Sequence, residues 1–200
     1  MSSYLLVLVA ILGFAYAEGD YSLCQQREKL DDDMREMFTE LHNGYRAAFA
    51  RNYKTSKMRT MVYDCTLEEK AYKSAEKCSG VPSSEEENVH VFEDGATTLN
   101  IPLEAGNSWW SEIFELRGKV YKSDGKTSNI ANMVWDSHDK LGCAVVDCSG
   151  KTHVVCQYGP EAKGPGKTIY EEGEPCSRCT DYGERVTCDE DWQNLLCIGH

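Results

Sequence analysis

Leu141-Gly142-Cys143-Ala144-Val145-Val146-Asp147-Cys148-Ser149-Gly150-Lys151-Thr152-His153-Val154-Val155-Cys156-Gln157-Tyr158 carries two strand patterns, Leu141 to Val146 and Thr152 to Tyr158. The turn between them includes Ser149-Gly150, so the stretch reads as a β-hairpin. Working back from it, Asn129 to Val134 reads as a short helix. Pro102 stands where a helix can start, and Trp109, Trp110, Ile113 and Phe114 give that helix an apolar side. Asn88 to Phe92 alternates like a short strand. Thr66-Leu67-Glu68-Glu69 reads as a capping box opening a helix with Ala71, Tyr72 and Ala75 inward. Asp31-Asp32-Asp33 precedes a helical pattern of Met34, Met37, Phe38, Leu41, Tyr45 and Ala48, with the acids at the positive helix end. Helices and strands are interleaved, which predicts a mixed, layered α+β fold.

Forward of the hairpin the composition changes near Gly159. Lys163-Gly164-Pro165-Gly166-Lys167 is a linker signal. Beyond it Cys176, Cys179, Cys188 and Cys197 lie among few apolar residues, so this segment must be held by bridges. At the other end, Tyr4 to Phe14 is a short apolar run before Ala15-Tyr16-Ala17, which reads as a secretory signal cut after Ala17. The run is too short to span a bilayer, and no later stretch is apolar for long enough. The expected organisation is 1–17 signal peptide, 18–164 main domain and 165–200 cysteine-rich extension. An exported chain meets an oxidising compartment, where ten cysteines are expected as disulfides. That context favours bridges over zinc at Cys176-x2-Cys179.

Hydrophobic residues make up 41% of the 200 residues, enough for a core without the bridges. The net charge of -12 repels nucleic acid and anionic lipid heads, excluding both as expected partners. No Asn-x-Ser/Thr sequon occurs, so no N-linked glycan is expected. Gly-x-Ser-x-Gly, His-Glu-x-x-His and phosphate-loop motifs are all missing from the sequence, and the five histidines are scattered. Trp109 and Trp110 are adjacent on a helix and face different ways, so at least one is expected in the core rather than on a stacking platform.

Five segments in order resemble the CAP superfamily of cysteine-rich secretory, antigen and pathogenesis-related proteins. They are Leu41-His42-Asn43-Gly44-Tyr45-Arg46, Glu86-Glu87-Asn88-Val89, Trp109-Trp110-Ser111-Glu112, Asn129 through Trp135, and Val154 through Pro160. The tail Gly173-Glu174-Pro175-Cys176-Ser177-x-Cys179 is similar to the short hinge of single-domain activation-associated secreted proteins of parasitic nematodes. The resemblance implies a three-layer α-β-α sandwich with a disulfide-bonded hinge-like extension. It also implies the bridges Cys24–Cys65, Cys78–Cys148, Cys143–Cys156, Cys176–Cys188 and Cys179–Cys197, a pairing that sequence alone does not determine.

Many family members carry a cleft of two histidines and two glutamates that can bind zinc. Glu87 and Glu112 stand at the glutamate positions, Asn129 replaces one histidine, and Ser79 to Glu86 holds no substitute for the other. Carboxylates alone suit harder cations, so neither a metal nor another cofactor is expected. If the two carboxylates face each other, like-charge repulsion should raise one pKa. The reading that follows is a secreted, extracellular, non-enzymatic protein that engages a host protein or receptor. The alternative is a carrier of sterol or fatty acid, with Ile101, Leu103, Ile113 and Phe114 as candidate groove residues. A hydrolase is the third reading, with His90 the only substitute base near Glu87 in sequence. The acidic charge opposes self-association but leaves open a homodimer through a local patch.

Overall fold

The structure, a computed structural model, describes residues 23–94 and 100–200. The expected signal segment, 1–17, lies outside the described residues. Helix α1 (Asp32–Tyr53) starts at Asp31, whose carboxylate accepts from the Met34 N–H at 2.9 Å. After the short strand β1 (Val62–Tyr63), Asp64 caps α2 (Cys65–Ala75) by accepting from the N–H groups of Thr66 and Leu67, each at 2.9 Å. The capping box expected at Thr66 is therefore displaced. Asp64 already supplies the acceptor two residues earlier, and Glu69 turns outward to Arg27 at 2.6 Å.

Strand β2 (Glu87–Phe92) and helix α3 (Ile101–Trp110) follow. The α-helix ends at Trp110 and tightens into a 3-10 turn, Ser111–Phe114. This breaks the expected apolar side: Trp109 is buried, but Phe114 is 75% exposed. Helix α4 (Ser128–Val134) leads to the hairpin β3 (Lys140–Cys148) and β4 (Lys151–Gly159). The main sheet runs β1-β3-β4-β2, with β1 parallel to β3 and the other pairs antiparallel.

Side chains alternate across this sheet. Gly142, Val155 and Gln157 face α2, while Cys143, Val154 and Tyr158 face α1, α3 and α4. Three layers result, the α-β-α sandwich that the family resemblance implies. Gly142 is where α2 sits closest: a Cβ there would stand 2.1 Å from the backbone nitrogen of Glu68. The apolar periodicity of α1 is only partly realised. Met37 and Ala48 are exposed, whereas Arg35, His42, Asn43 and Arg46 are buried with Phe38 and Phe49. Each of these polar residues has a partner that makes burial tolerable.

The ten cysteines form five bridges: Cys24–Cys65, Cys78–Cys148, Cys143–Cys156, Cys176–Cys188 and Cys179–Cys197. The last two bind the tail around a small ribbon, β5 (Val186–Cys188) and β6 (Cys197–Gly199). The tail docks on the main body. Cys197 N–H donates to Met58 O at 2.7 Å, Thr60 N–H donates to Cys197 O at 2.8 Å, and the Thr60 hydroxyl donates to Asp189 at 2.7 Å. Ile169, Tyr170 and Leu196 join the principal core. No described helix is long and apolar enough to cross a membrane.

Gly142→Ala should force α2 off the sheet, because the obstacle is backbone and cannot rotate away. Urea unfolding should register a loss of about 3 kcal/mol or more, against a negligible change for Met37→Ala on the exposed side of α1.

Candidate functional site

The first-helix motif builds the interior of the site. Asn43 pairs with the backbone of Met61 in both directions, accepting its N–H at 2.8 Å and donating to its carbonyl at 2.9 Å. Arg46 is fully buried. Its five N–H groups donate to the carbonyls of Arg59, Met133, Trp135, Asp136 and His138 at 2.8–3.3 Å. Burial lowers its pKa to about 10, so it stays charged at neutral pH.

His42 has one ring nitrogen on Phe38 O at 2.7 Å and the other on the Tyr158 hydroxyl at 2.9 Å. A carbonyl can only accept, so His42 carries its proton on Nδ1, and Tyr158 donates to Nε2. The Tyr158 oxygen then accepts from Asn88 at 2.9 Å, and Asn88 accepts from Asn132 at 2.9 Å. Asn88 also donates to Asn129 O at 3.1 Å, and His138 Nδ1 donates to Asn132 O at 3.1 Å. Every proton in this chain has one direction. Burial pushes His42 down to about 4 and His138 to about 3, assisted by the Arg46 charge.

Glu112 and Asn129 are brought together. One oxygen of Glu112 accepts from the Asn129 side chain at 2.6 Å, and the other accepts the N–H groups of Asn129 and Ile130 at 2.8 and 3.0 Å. Glu112 thus caps α4, a task that Thr127 leaves undone with its own side chain. Its pKa is raised by burial, with no like-charge contribution from Glu87 among the causes.

Glu87 lies elsewhere. It faces α2, where one oxygen accepts from Ser74 Oγ at 2.7 Å and Ser83 N–H at 2.9 Å. The other accepts from Ser83 Oγ at 2.8 Å and from the Gln157 amide. Among the described residues no hydrogen bond or ion pair links Glu87 to Asn129, and the rise at Glu112 comes from burial rather than from like-charge repulsion by Glu87.

Lys163 completes the region. Its side chain is buried, with Nζ 3.0 Å from Ser128 Oγ, 3.9 Å from Glu85 and 5.1 Å from the centre of the Tyr121 ring. Burial lowers its pKa to about 8, against the pull of Glu85, Glu86 and Glu112. A cation tethered to the chain thus lies among these acids, with Glu85 its ion-pair partner.

The donor set does not fit zinc. Both imidazole positions are lost, and each glutamate oxygen already accepts from at least one chain donor. Engaging a metal would strip backbone N–H groups of their acceptors. Of the other expected residues, His90 projects to the face opposite Glu87 and packs edge-on against Phe92, 4.6 Å away. Alternation along β2 thus denies it the role of base to Glu87. Trp109 is core and donates to Val89 O at 3.0 Å, while Trp110 stacks on Tyr45 at 4.7 Å. Cys176 and Cys179 are in separate bridges and offer no thiolate. Ile101 is buried, Ile113 half-buried, and Leu103 and Phe114 are exposed.

Lys163, Ser74, Ser83 and Asn132 were not among the expected site residues. Lys163 was hidden in a linker signal, and single serines carry no pattern; only tertiary placement reveals them.

A profile of the Cysteine-rich secretory protein family (CAP) matches residues 39–158, and the chain belongs to that family. It is 92% identical over 200 residues, the whole of both chains, to Hookworm platelet inhibitor 1 of Ancylostoma caninum. The crystal structure of Hookworm Platelet Inhibitor superposes with a TM-score of 0.86 at 91% identity, covering 90% of this chain and 98% of that one. The structure of NaASP2 with Zn2+ gives 0.73 at 31% identity, covering 86% and 98%.

Because His42 and His138 are neutral inside, the unfolded chain binds protons that the folded chain refuses. Their contribution is complete above the ordinary histidine pKa of about 6.5 and is lost as pH falls toward about 4 and about 3. His42→Gln should therefore flatten the pH dependence of unfolding free energy between pH 6 and pH 4.5. The slope should fall by about 1.4 kcal/mol per pH unit, as read from denaturant melts across that range.

Proposed function

We propose that this chain is a secreted, extracellular protein of a parasitic nematode that acts on host platelets without catalysis, by binding a host protein or receptor through its surface. On this reading residues 1–17 are the export signal, 18–164 the CAP domain and 165–200 a bridged extension that stiffens it. The observation that carries the non-enzymatic part is the engagement of Glu87 and Glu112 by chain donors, one of them as a helix cap. A general base needs an accessible acceptor within reach of a nucleophile; both oxygens of Glu87 and one of Glu112 already accept from two chain donors each, and the other Glu112 oxygen accepts from the Asn129 amide.

The platelet target is carried over from the relative that is 92% identical along its whole length. Five bridges, each worth about 2–4 kcal/mol, suit a rigid platform in host fluid. The carrier reading has less support, because its four candidate residues are divided between core and surface.

Purified, disulfide-intact protein should inhibit aggregation of washed platelets in a saturable way. Glu87→Gln and Glu112→Gln variants that retain their fold should inhibit with unchanged potency. Loss of inhibition in a folded Glu112→Gln protein would place the activity in cleft chemistry instead.

A further inference from the structure

A cavity of about 520 Å³ opens beside the first turn of α2, at the end of strands β3 and β4. Its charged lining is mostly self-paired. Asp64 holds Lys140 at 3.1 Å, and Asp139 holds Arg59 at 2.7 Å. Lys70 and Glu161 are exposed at the rim. Glu86 is different: it lines the cavity and is only 9% exposed. Among the described residues its carboxylate makes no hydrogen bond and no ion pair. Lys163 is near enough to feel its charge, yet the lysine ammonium is placed on Ser128 and Glu85. Most of the residue is covered while its carboxylate is left without a chain donor at the cavity, and a guest that supplies donors and positive charge would pair with it.

We propose that this cavity is a binding site for an alkyl guanidinium, the side chain of arginine, with Glu86 as its principal anion. A guanidinium presents a planar fork of N–H groups that matches both oxygens of a carboxylate. It is less strongly hydrated than an ammonium, and so enters a half-enclosed site more readily. Leu67 and Pro160 in the lining suit the methylene stem, and Glu161 adds a second anion at the mouth. A divalent cation fits less well, because one unpaired carboxylate falls short of the several converging oxygens it requires. The net charge of -12 draws basic partners toward the surface. An exposed arginine of a partner protein and free arginine share this recognition chemistry.

Calorimetric titration of the intact protein with N-acetyl-arginine N-methylamide tests the site, with the citrulline analogue as an uncharged isostere. Saturable binding of the arginine probe and none of the citrulline probe is expected. Glu86→Gln should weaken binding about tenfold or more, and Lys70→Glu should strengthen it. Free L-arginine, carried as a separate arm, separates the sources: weaker binding than the blocked probe points to a protein-borne side chain, and equal or tighter binding to the free amino acid. Because the carboxylate has no internal partner, Glu86→Gln should keep or raise the melting temperature. Absence of saturable binding, equal affinity for citrulline, an unaffected Glu86→Gln protein or a collapse of its melting temperature would each overturn the proposal. The titration uses isolated protein, so its outcome is independent of the platelet reading.

Discussion

The guanidinium of Arg46 is shut away from solvent with a carbonyl oxygen for each of its five N–H groups. Those carbonyls come from the approach to β1, the end of α4 and the corner that leads into β3. One side chain on α1 therefore fixes where the sheet starts and where α4 stops. A buried positive charge is tolerated only when its donors are satisfied, and the carbonyls of an irregular corner are tolerated only when something donates to them. Each side of the arrangement requires the other. The position of α4 then decides the rest, because Asn129 and Asn132 lie on it and tie to Asn88, Tyr158 and His42.

The same logic explains why a cleft familiar for metal binding is architectural here. With Asn129 in place of an imidazole, Glu112 finds its donors at the start of α4 and becomes its cap. Glu87, turned to the other face of the sheet, is closed by two serines and a glutamine. Lys163 brings an internal cation to the acids that remain. Two interior histidines, His42 and His138, are held neutral by burial and serve as hydrogen-bonding parts of the core. Both glutamates are engaged by chain donors, which favours a role in holding the fold over one in proton transfer or metal binding. Recognition by the acidic outer surface needs neither.

The sequence made the hairpin legible because two apolar runs and a Ser-Gly turn admit few other structures. The interleaving of elements likewise pointed to a layered α+β fold. The buried face of α1 was not legible from apolarity. Met37 and Ala48 continue the helical period yet face water, while Arg35, His42, Asn43 and Arg46 go inside because distant backbone and acid groups await them. Capping at α2 was misplaced for a local reason, since Asp64 reaches the free N–H groups before Thr66 can. Phe114 escaped the core because the α-helix tightens after Trp110 and shifts the angular spacing of side chains. The role of Lys163 depends on a chain reversal that brings residues 85, 112, 128 and 163 together, and no local pattern encodes that.

The central claim is that Glu87 and Glu112 are structural acceptors and not ligands. Zinc titration by calorimetry of the disulfide-intact protein at neutral pH tests it most directly. The account predicts no saturable heat at one zinc per chain in the micromolar range. Stoichiometric micromolar binding that disappears in Glu87→Gln or Glu112→Gln would contradict it.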